Sequence, residues 1–223
     1  VIFLTPAQIE VSGSSYAPSL LTFFFDIIFQ QDFSIRPLRP LFLTLPFGLA
    51  ALFLEGVYQF AIVIRNIVNP EIGYLYSKKN YRDIVKLSKK YSLISLLIIV
   101  SISSIVILSF DYLLIFVDQF ELSSAKSILI ILLFGLSFYA LIIPLENLLF
   151  QANQPIYQSM YMLLMTILNI ILNIIFIKEY GLIGAAIATS ITYISSIFLF
   201  NLVVIIATKL KYGIFFNYNK NIQ

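Results

Sequence analysis

The amino-acid sequence predicts an all-α, polytopic transmembrane helix bundle with about five spans, and three observations support this prediction. Of the 223 residues, 60% are hydrophobic and 11% are charged, whereas ordinary soluble domains carry about 25% charged residues. The mean hydropathy is +0.96. The apolar residues also fall into long runs, and crossing a bilayer takes roughly 20 consecutive residues of this kind.

Each of five apolar runs is long enough to span the membrane. The first is interrupted by Glu55 and Gln59, the second carries Asp111 near its end, and the third carries Pro144, for which we expect a kink. The fourth and fifth are joined by a short polar linker at Lys178–Ile183 and predict a transmembrane hairpin. In order, the five spans are residues 41–64, 92–117, 127–149, 156–177 and 184–207.

The remaining segments connect or flank these spans. Residues 1–40 contain turn formers and only a short apolar stretch, which predicts an outer loop with a re-entrant or interfacial segment. Residues 65–91 are rich in Lys and Arg, and Ile84, Val85 and Leu87 interleave with those charges. This pattern predicts an amphipathic helix on the membrane surface, with a solvated loop helix as the alternative. Residues 208–223 form the tail.

Orientation follows from the cations. If the 65–91 loop is cytoplasmic, the cytoplasmic side receives ten Lys and Arg from the inter-span loops and the tail, and the opposite side receives two from the inter-span loops, Lys126 and Lys178. Arg36 and Arg39, which precede the first span, run against this bias. Cytoplasmic loops of membrane proteins carry an excess of Lys and Arg. The sequence therefore predicts a multi-pass protein whose C-terminus is cytoplasmic.

Composition also excludes several classes of site. The chain has no Cys and no His, which removes thiolate nucleophiles, disulfides, His-based acid–base catalysis and most zinc or haem ligation. We therefore expect no metal, no cofactor and no enzymatic activity. The net charge of +3 is small and lies in the loops, which suits contact with membrane lipids and not with nucleic acid.

The pattern LNIILNIIFIKEYGLIGAAIATSITY resembles the last two helices of polysaccharide flippases in the multidrug/oligosaccharidyl-lipid/polysaccharide exporter superfamily. Its two Asn residues, a Tyr-Gly turn and a Gly-Ala-Ala-Ile-Ala-Thr element carry the resemblance. LTPAQIEV at 4–11 looks like the outer loop before the eighth helix of that family, and residues 55–84 look like that helix entering a central cytoplasmic loop. About 45 residues separate these two stretches here, more than in the family.

The resemblance implies a function and a partner. It implies a transporter that flips an isoprenoid-diphosphate-linked oligosaccharide across the bacterial inner membrane by alternating access, for lipopolysaccharide O-antigen, capsule or exopolysaccharide biosynthesis. Members have two six-helix lobes, whereas this chain supplies five clear helices. No Met opens the sequence, so we expect the C-terminal lobe of a longer protein whose N-terminal lobe is its partner.

Polar residues within the spans are the candidate site. Glu55 and Glu146 are candidate ion-coupling carboxylates, and Gln59 lies on the same helix face as Glu55. Glu55 could exchange a proton during transport, or it could pair with Arg65 or with a cation of the missing lobe. Asn169 and Asn173 lie on one face of the fourth span and would line a cavity or, as we favour, hydrogen-bond a neighbouring helix. The small residues expected to pack helices together are Gly181, Gly184, Ala185 and Ala188.

Three other functions are compatible with the same features. A cation-coupled multidrug exporter of the same superfamily would use a buried carboxylate to bind its coupling ion. A non-transporting membrane subunit, or an inactive truncated fragment, would use none of these residues. A membrane-embedded glycosyl or acyl transferase is the weakest alternative, because we find no His and no paired acidic motif at a membrane edge.

Overall fold

The computed structural model describes residues 39–114 and 119–208, and within them every regular element is helical. This confirms the all-α prediction. The predictions for residues 1–38 and for the tail beyond Thr208 lie outside the described residues. In chain order the elements are α1 (Arg39–Ser77), α2 (Tyr81–Leu114), α3 (Gln119–Tyr139), a 3-10 turn (Ile143–Leu145), α4 (Leu148–Gln151) and α5 (Pro155–Ala207).

Helix α5 folds back on itself at Gly181. This glycine has φ 58° and ψ −134°, a backbone conformation that only glycine adopts readily. Residues at nearly equal distances along the chain on either side of Gly181 then meet: the Tyr161 and Phe200 ring centroids are 5.2 Å apart, and Asn169 hydrogen-bonds Thr192. The two arms of α5, 155–180 and 182–207, therefore run antiparallel.

Within residues 39–114 and 119–208, three helices are long and apolar enough to cross a membrane: Pro46–Ser77, Tyr81–Tyr112 and Pro155–Ala207. A fourth crossing is added if the bent pair Ala125–Tyr139 and Ile143–Gln151 counts as one span. Each arm of α5 has 26 residues, about 39 Å at 1.5 Å per residue, and the hydrocarbon core is about 30 Å thick. The hairpin can therefore supply two crossings. The chain is a membrane-embedded helical bundle.

The exposed face of α2 shows where the hydrocarbon begins. Its first turns expose Arg82, Lys86 and Lys90, and the same face then exposes Leu93 and Leu97. The next exposed charge on α2 is Asp111, 21 residues after Lys90 and so about 32 Å farther along the helix. That length matches a hydrocarbon core about 30 Å thick. The first three turns of α2 therefore project out of the hydrocarbon.

The predicted loop at 65–91 takes a different form in the structure. Helix α1 continues through Arg65 to Ser77, and α2 begins after a short turn. Ile84, Val85 and Leu87 are buried in one core cluster with residues of α1 and α4. The sequence pattern correctly shows one apolar side here, but that side packs against the protein's own bundle and not against the membrane surface.

Candidate functional site

The centre of the bundle contains a broken helix. Helix α3 ends at Tyr139, and after the 3-10 turn the chain resumes at a bend of 47°. Pro144, within that turn, has no N–H to donate, so the helical ladder cannot continue through it. The expected kink at Pro144 is therefore a full interruption. The Ser92 hydroxyl of α2 donates to the Leu141 carbonyl at 2.6 Å, as membrane bundles require when a broken helix frees backbone groups.

Glu146 follows this break directly and is almost fully buried. Its Oε1 accepts a hydrogen bond from Tyr139 Oη at 3.0 Å. Its Oε2 accepts one from Tyr58 Oη at 3.4 Å and pairs with the Arg65 guanidinium of α1. The carboxylate thus has three donors from two different elements. We call these four residues, Glu146, Arg65, Tyr58 and Tyr139, the carboxylate cluster.

A stack of tyrosine rings closes the cluster on one side. The Tyr58 and Tyr139 rings lie 6.4 Å apart and the Tyr139 and Tyr193 rings 4.9 Å apart, each pair inclined by 15°. All three side chains are buried. Tyr193 belongs to the second arm of α5, so the stack joins α1, α3 and α5. These rings restrict access to the carboxylate and fix the two phenolic donors that it uses.

The position of the cluster along the helices matters for its chemistry. Exposed basic charge on α2 ends at Lys90, ten residues beyond the turn 78–80. The same distance along α1 reaches about residue 68, so Arg65 lies about 5 Å farther into the hydrocarbon. The ion pair is therefore buried inside the bundle, toward its basic end. Charged side chains at this depth are costly and are found paired, facing the bundle interior or a cavity. Glu146 and Arg65 satisfy that condition by neutralising each other.

Sequence reasoning identified Glu146 and missed its partners. The sequence pattern places Arg65 in the cytoplasmic loop and offers it only as a partner of Glu55. No spacing in the sequence links Tyr58, Tyr139 and Tyr193, which come from three separate segments. The available signal was Arg65 itself, a lone cation immediately after an apolar run.

Glu55 and Gln59 are not members of this cluster, although Glu55 lies close enough to Tyr58 and Tyr193 to interact with them electrostatically. Gln59 Nε2 donates to Glu55 Oε1 at 2.8 Å within α1. Glu55 is half-buried, while Gln59 and Asn66, on nearly the same face, are exposed. The sequence predicts that this polar stripe points into the bundle or into a cavity; within the described residues it lies at the surface of α1.

Asn169 and Asn173 join the two arms of the α5 hairpin. Asn169 Nδ2 donates to Thr192 Oγ1 at 3.1 Å, and Asn173 Nδ2 donates to Asn169 Oδ1 at 2.6 Å. Thr192 Oγ1 in turn donates to the Ala188 carbonyl at 2.8 Å. These contacts form a buried polar ladder of the kind that holds membrane helices together.

Small residues allow the arms and α3 to approach closely. A Cβ on Gly184 would lie 2.0 Å from the Phe176 carbonyl oxygen, and one on Gly135 would lie 2.6 Å from Ser190 Cα. Ala185 and Ala188 are buried beside them. The sequence singled out Gly184 as a packing residue but did not identify Gly135, since a lone glycine in an apolar run carries no signal of its neighbour.

Comparisons of the chain with protein-family models, with curated proteins and with solved structures gave no match. The functional argument therefore rests on the carboxylate cluster, the broken helix and the hairpin. Together these features provide a buried, neutralised ion pair and an interrupted helix beside it.

Proposed function

We propose that the chain is part of a membrane transporter that flips a lipid-linked oligosaccharide by alternating access. The main supporting observation is the Glu146–Arg65 pair, which is buried inside the bundle and adjacent to a broken helix. Many transporters build their sites from discontinuous helices. A purely structural bundle gains little from such a pair, because well-packed apolar residues are often as stable or more stable.

The substrate class comes from the resemblance of the α5 hairpin to the last helices of polysaccharide flippases. The proposed substrate is an isoprenoid-diphosphate-linked glycan for lipopolysaccharide, capsule or exopolysaccharide biosynthesis. The proposed site of action is the inner membrane of a bacterium, with a cytoplasmic C-terminus and an N-terminal lobe as partner. The transport itself needs no covalent chemistry and no cofactor.

A complementation experiment tests this function. The full-length gene that contains the coding sequence of this chain is expressed in a bacterial strain lacking its own polysaccharide flippase, and surface glycan is measured with a lectin. We expect the wild type to restore the glycan and the Glu146→Ala variant to restore much less at equal membrane abundance. Absence of restoration by the wild type at normal abundance would contradict the proposed substrate class. Equal restoration by both would show that the cluster has no part in transport.

Cation-coupled export is the second candidate, and one observation favours it. The Glu55 carboxylate is hydrogen-bonded to a neutral amide, Gln59, whereas Glu146 is neutralised by Arg65. A carboxylate without a fixed cationic partner is better suited to take up and release a coupling ion. Comparing Glu55→Gln with Glu55→Ala separates an ion-coupling role of Glu55 from a structural role, because Gln keeps the hydrogen bonds but cannot ionise. Normal transport by the Gln variant and failure of the Ala variant would make Glu55 structural.

A further inference from the structure

The ends of α1 and α2 that join at the turn 78–80 project beyond the hydrocarbon. On the exposed face of α2, charge gives way to leucine between Lys90 and Leu93, which places the hydrocarbon boundary at that point. The headgroup layer on one side of a bilayer is roughly 5 to 8 Å thick. Lys86 and Lys90 lie four residues apart, about 6 Å along the axis, so both lie at the level of that layer.

These two ammonium groups are held on an outward-facing ridge. Arg82, Lys86 and Lys90 follow one another at four-residue spacing, which places them on one helix face. The opposite face, with Ile84, Val85 and Leu87, is anchored in the core. The Lys86 side chain is 66% exposed and its ion pair with Asp83, 3.3 Å long, is of the weak surface type. The Lys90 ammonium lies 5.5 Å from the Tyr91 ring centroid.

The charge of this region is strongly one-sided. Residues 78–90 contain six Lys and Arg and one carboxylate, Asp83. Basic clusters next to a transmembrane helix are attracted to a negatively charged leaflet. We propose that the ridge formed by Lys86 and Lys90 at the base of α2 is a binding site for the phosphate of anionic phospholipid headgroups. The inference concerns lipid and does not depend on the transport function.

The turn itself offers a matched control. Lys78 and Lys79 are exposed and carry the same charge, but they precede Tyr81, which lies nine residues from Lys90, or about 14 Å along the helix. They are therefore beyond the headgroup layer. If the site binds headgroups, replacing Lys86 and Lys90 should weaken the binding of anionic lipid, whereas replacing Lys78 and Lys79 should not, although each replacement removes two positive charges.

Native mass spectrometry of the detergent-solubilised chain with equal amounts of phosphatidylglycerol and phosphatidylcholine tests the site. We expect the wild type and Lys78→Gln/Lys79→Gln to retain phosphatidylglycerol several-fold over phosphatidylcholine. We expect Lys86→Gln/Lys90→Gln, and to a lesser extent Lys90→Gln alone, to lose that preference. Both variants should still elute from size-exclusion chromatography at the volume of the wild type.

Three outcomes would overturn the proposal. The wild type could bind both lipids equally, both double variants could lose the preference to the same extent, or an excess of inorganic phosphate could displace phosphatidylglycerol. The second would indicate a diffuse effect of charge, and the third a site for free anions and not for a headgroup. None of these measurements involves transport, so their failure is distinguishable from failure of the proposed function.

Discussion

At the scale of single residues, buried polar side chains hydrogen-bond one another in the carboxylate cluster and in the polar ladder of α5. Glu146 has three donors, and Asn169 both donates to Thr192 and accepts from Asn173. In hydrocarbon an unsatisfied polar group costs several kcal/mol. Each of these residues is therefore sensitive to the loss of its partner, and the two predictions that follow use this dependence.

Removing one member of the ion pair is expected to destabilise the protein more than removing both. Glu146→Gln leaves the mostly buried Arg65 without its counter-charge, at a cost of about 3 to 5 kcal/mol. Glu146→Leu combined with Arg65→Met replaces the pair with apolar side chains and should recover most of that loss. Unfolding in mixed micelles measures the difference in free energy of unfolding between the single and the double variant. A double variant less stable than Glu146→Gln would contradict this account of the pair.

The polar ladder of α5 makes a smaller contribution. Asn169→Leu removes the hydrogen bond to Thr192 and the acceptor used by Asn173, and we expect a loss of about 1 kcal/mol, the range measured for hydrogen bonds between membrane helices. Thr192→Val removes the same bond from the other side. A double-mutant cycle in micelles should therefore give a coupling near that value. A coupling of zero would mean that the two side chains do not interact in the folded protein.

At the scale of elements, two interruptions determine how the helices meet. The break between α3 and α4 brings Glu146 to α1, and the reversal at Gly181 brings the second arm of α5 to the first. Both depend on local chemistry: a proline without an N–H and a glycine at positive φ. The packing that follows depends on residues small enough for backbones to touch, above all Gly184.

Gly184→Ala is expected to open the hairpin. The added Cβ would meet the Phe176 carbonyl oxygen at 2.0 Å, and backbone cannot move aside as a side chain can. Gly56→Ala is the matched control, since a Cβ there meets nothing within 4 Å and should stabilise the helix by about 0.5 to 1 kcal/mol. Thermal unfolding, monitored by size-exclusion chromatography, measures the stability of both variants. Equal stability of the two variants would contradict the close approach of the arms.

At the scale of the whole molecule, the position of the charges is consistent with one orientation in the membrane. The basic turn at 78–80 and the start of α5 lie at one end of their helices, and Gly181 lies at the other end of the α5 arms. Lys126 and Asp111 form an ion pair 2.6 Å long at the end of α2 far from the basic turn. The excess of Lys and Arg favours the cytoplasm for the basic end.

Single-cysteine labelling tests that orientation, and the chain has no native Cys to interfere. Cys placed at Asn80 should resist a membrane-impermeant maleimide in intact cells, whereas Cys placed at Glu179 should react. Both positions are exposed, so reactivity reports the side of the membrane and not burial. Both should react after the cells are permeabilised. The reverse pattern in intact cells would overturn the predicted orientation.

The sequence by itself determined the helical class, the membrane environment and several local features. Long apolar runs predict helices because in hydrocarbon a single segment can pair all its backbone polar groups only as a helix. Gly184 allows close packing because it has no side chain, and Pro144 interrupts a helix because it has no N–H. Only the tertiary structure decided which polar groups meet. Tyr58 and Arg65 belong to α1, whereas Tyr139 ends α3 and Glu146 follows the 3-10 turn. No periodicity in the sequence records such pairing. Likewise, Ile84 and Leu87 form an apolar face in the sequence, but whether that face packs on lipid or on protein depends on the neighbouring helix.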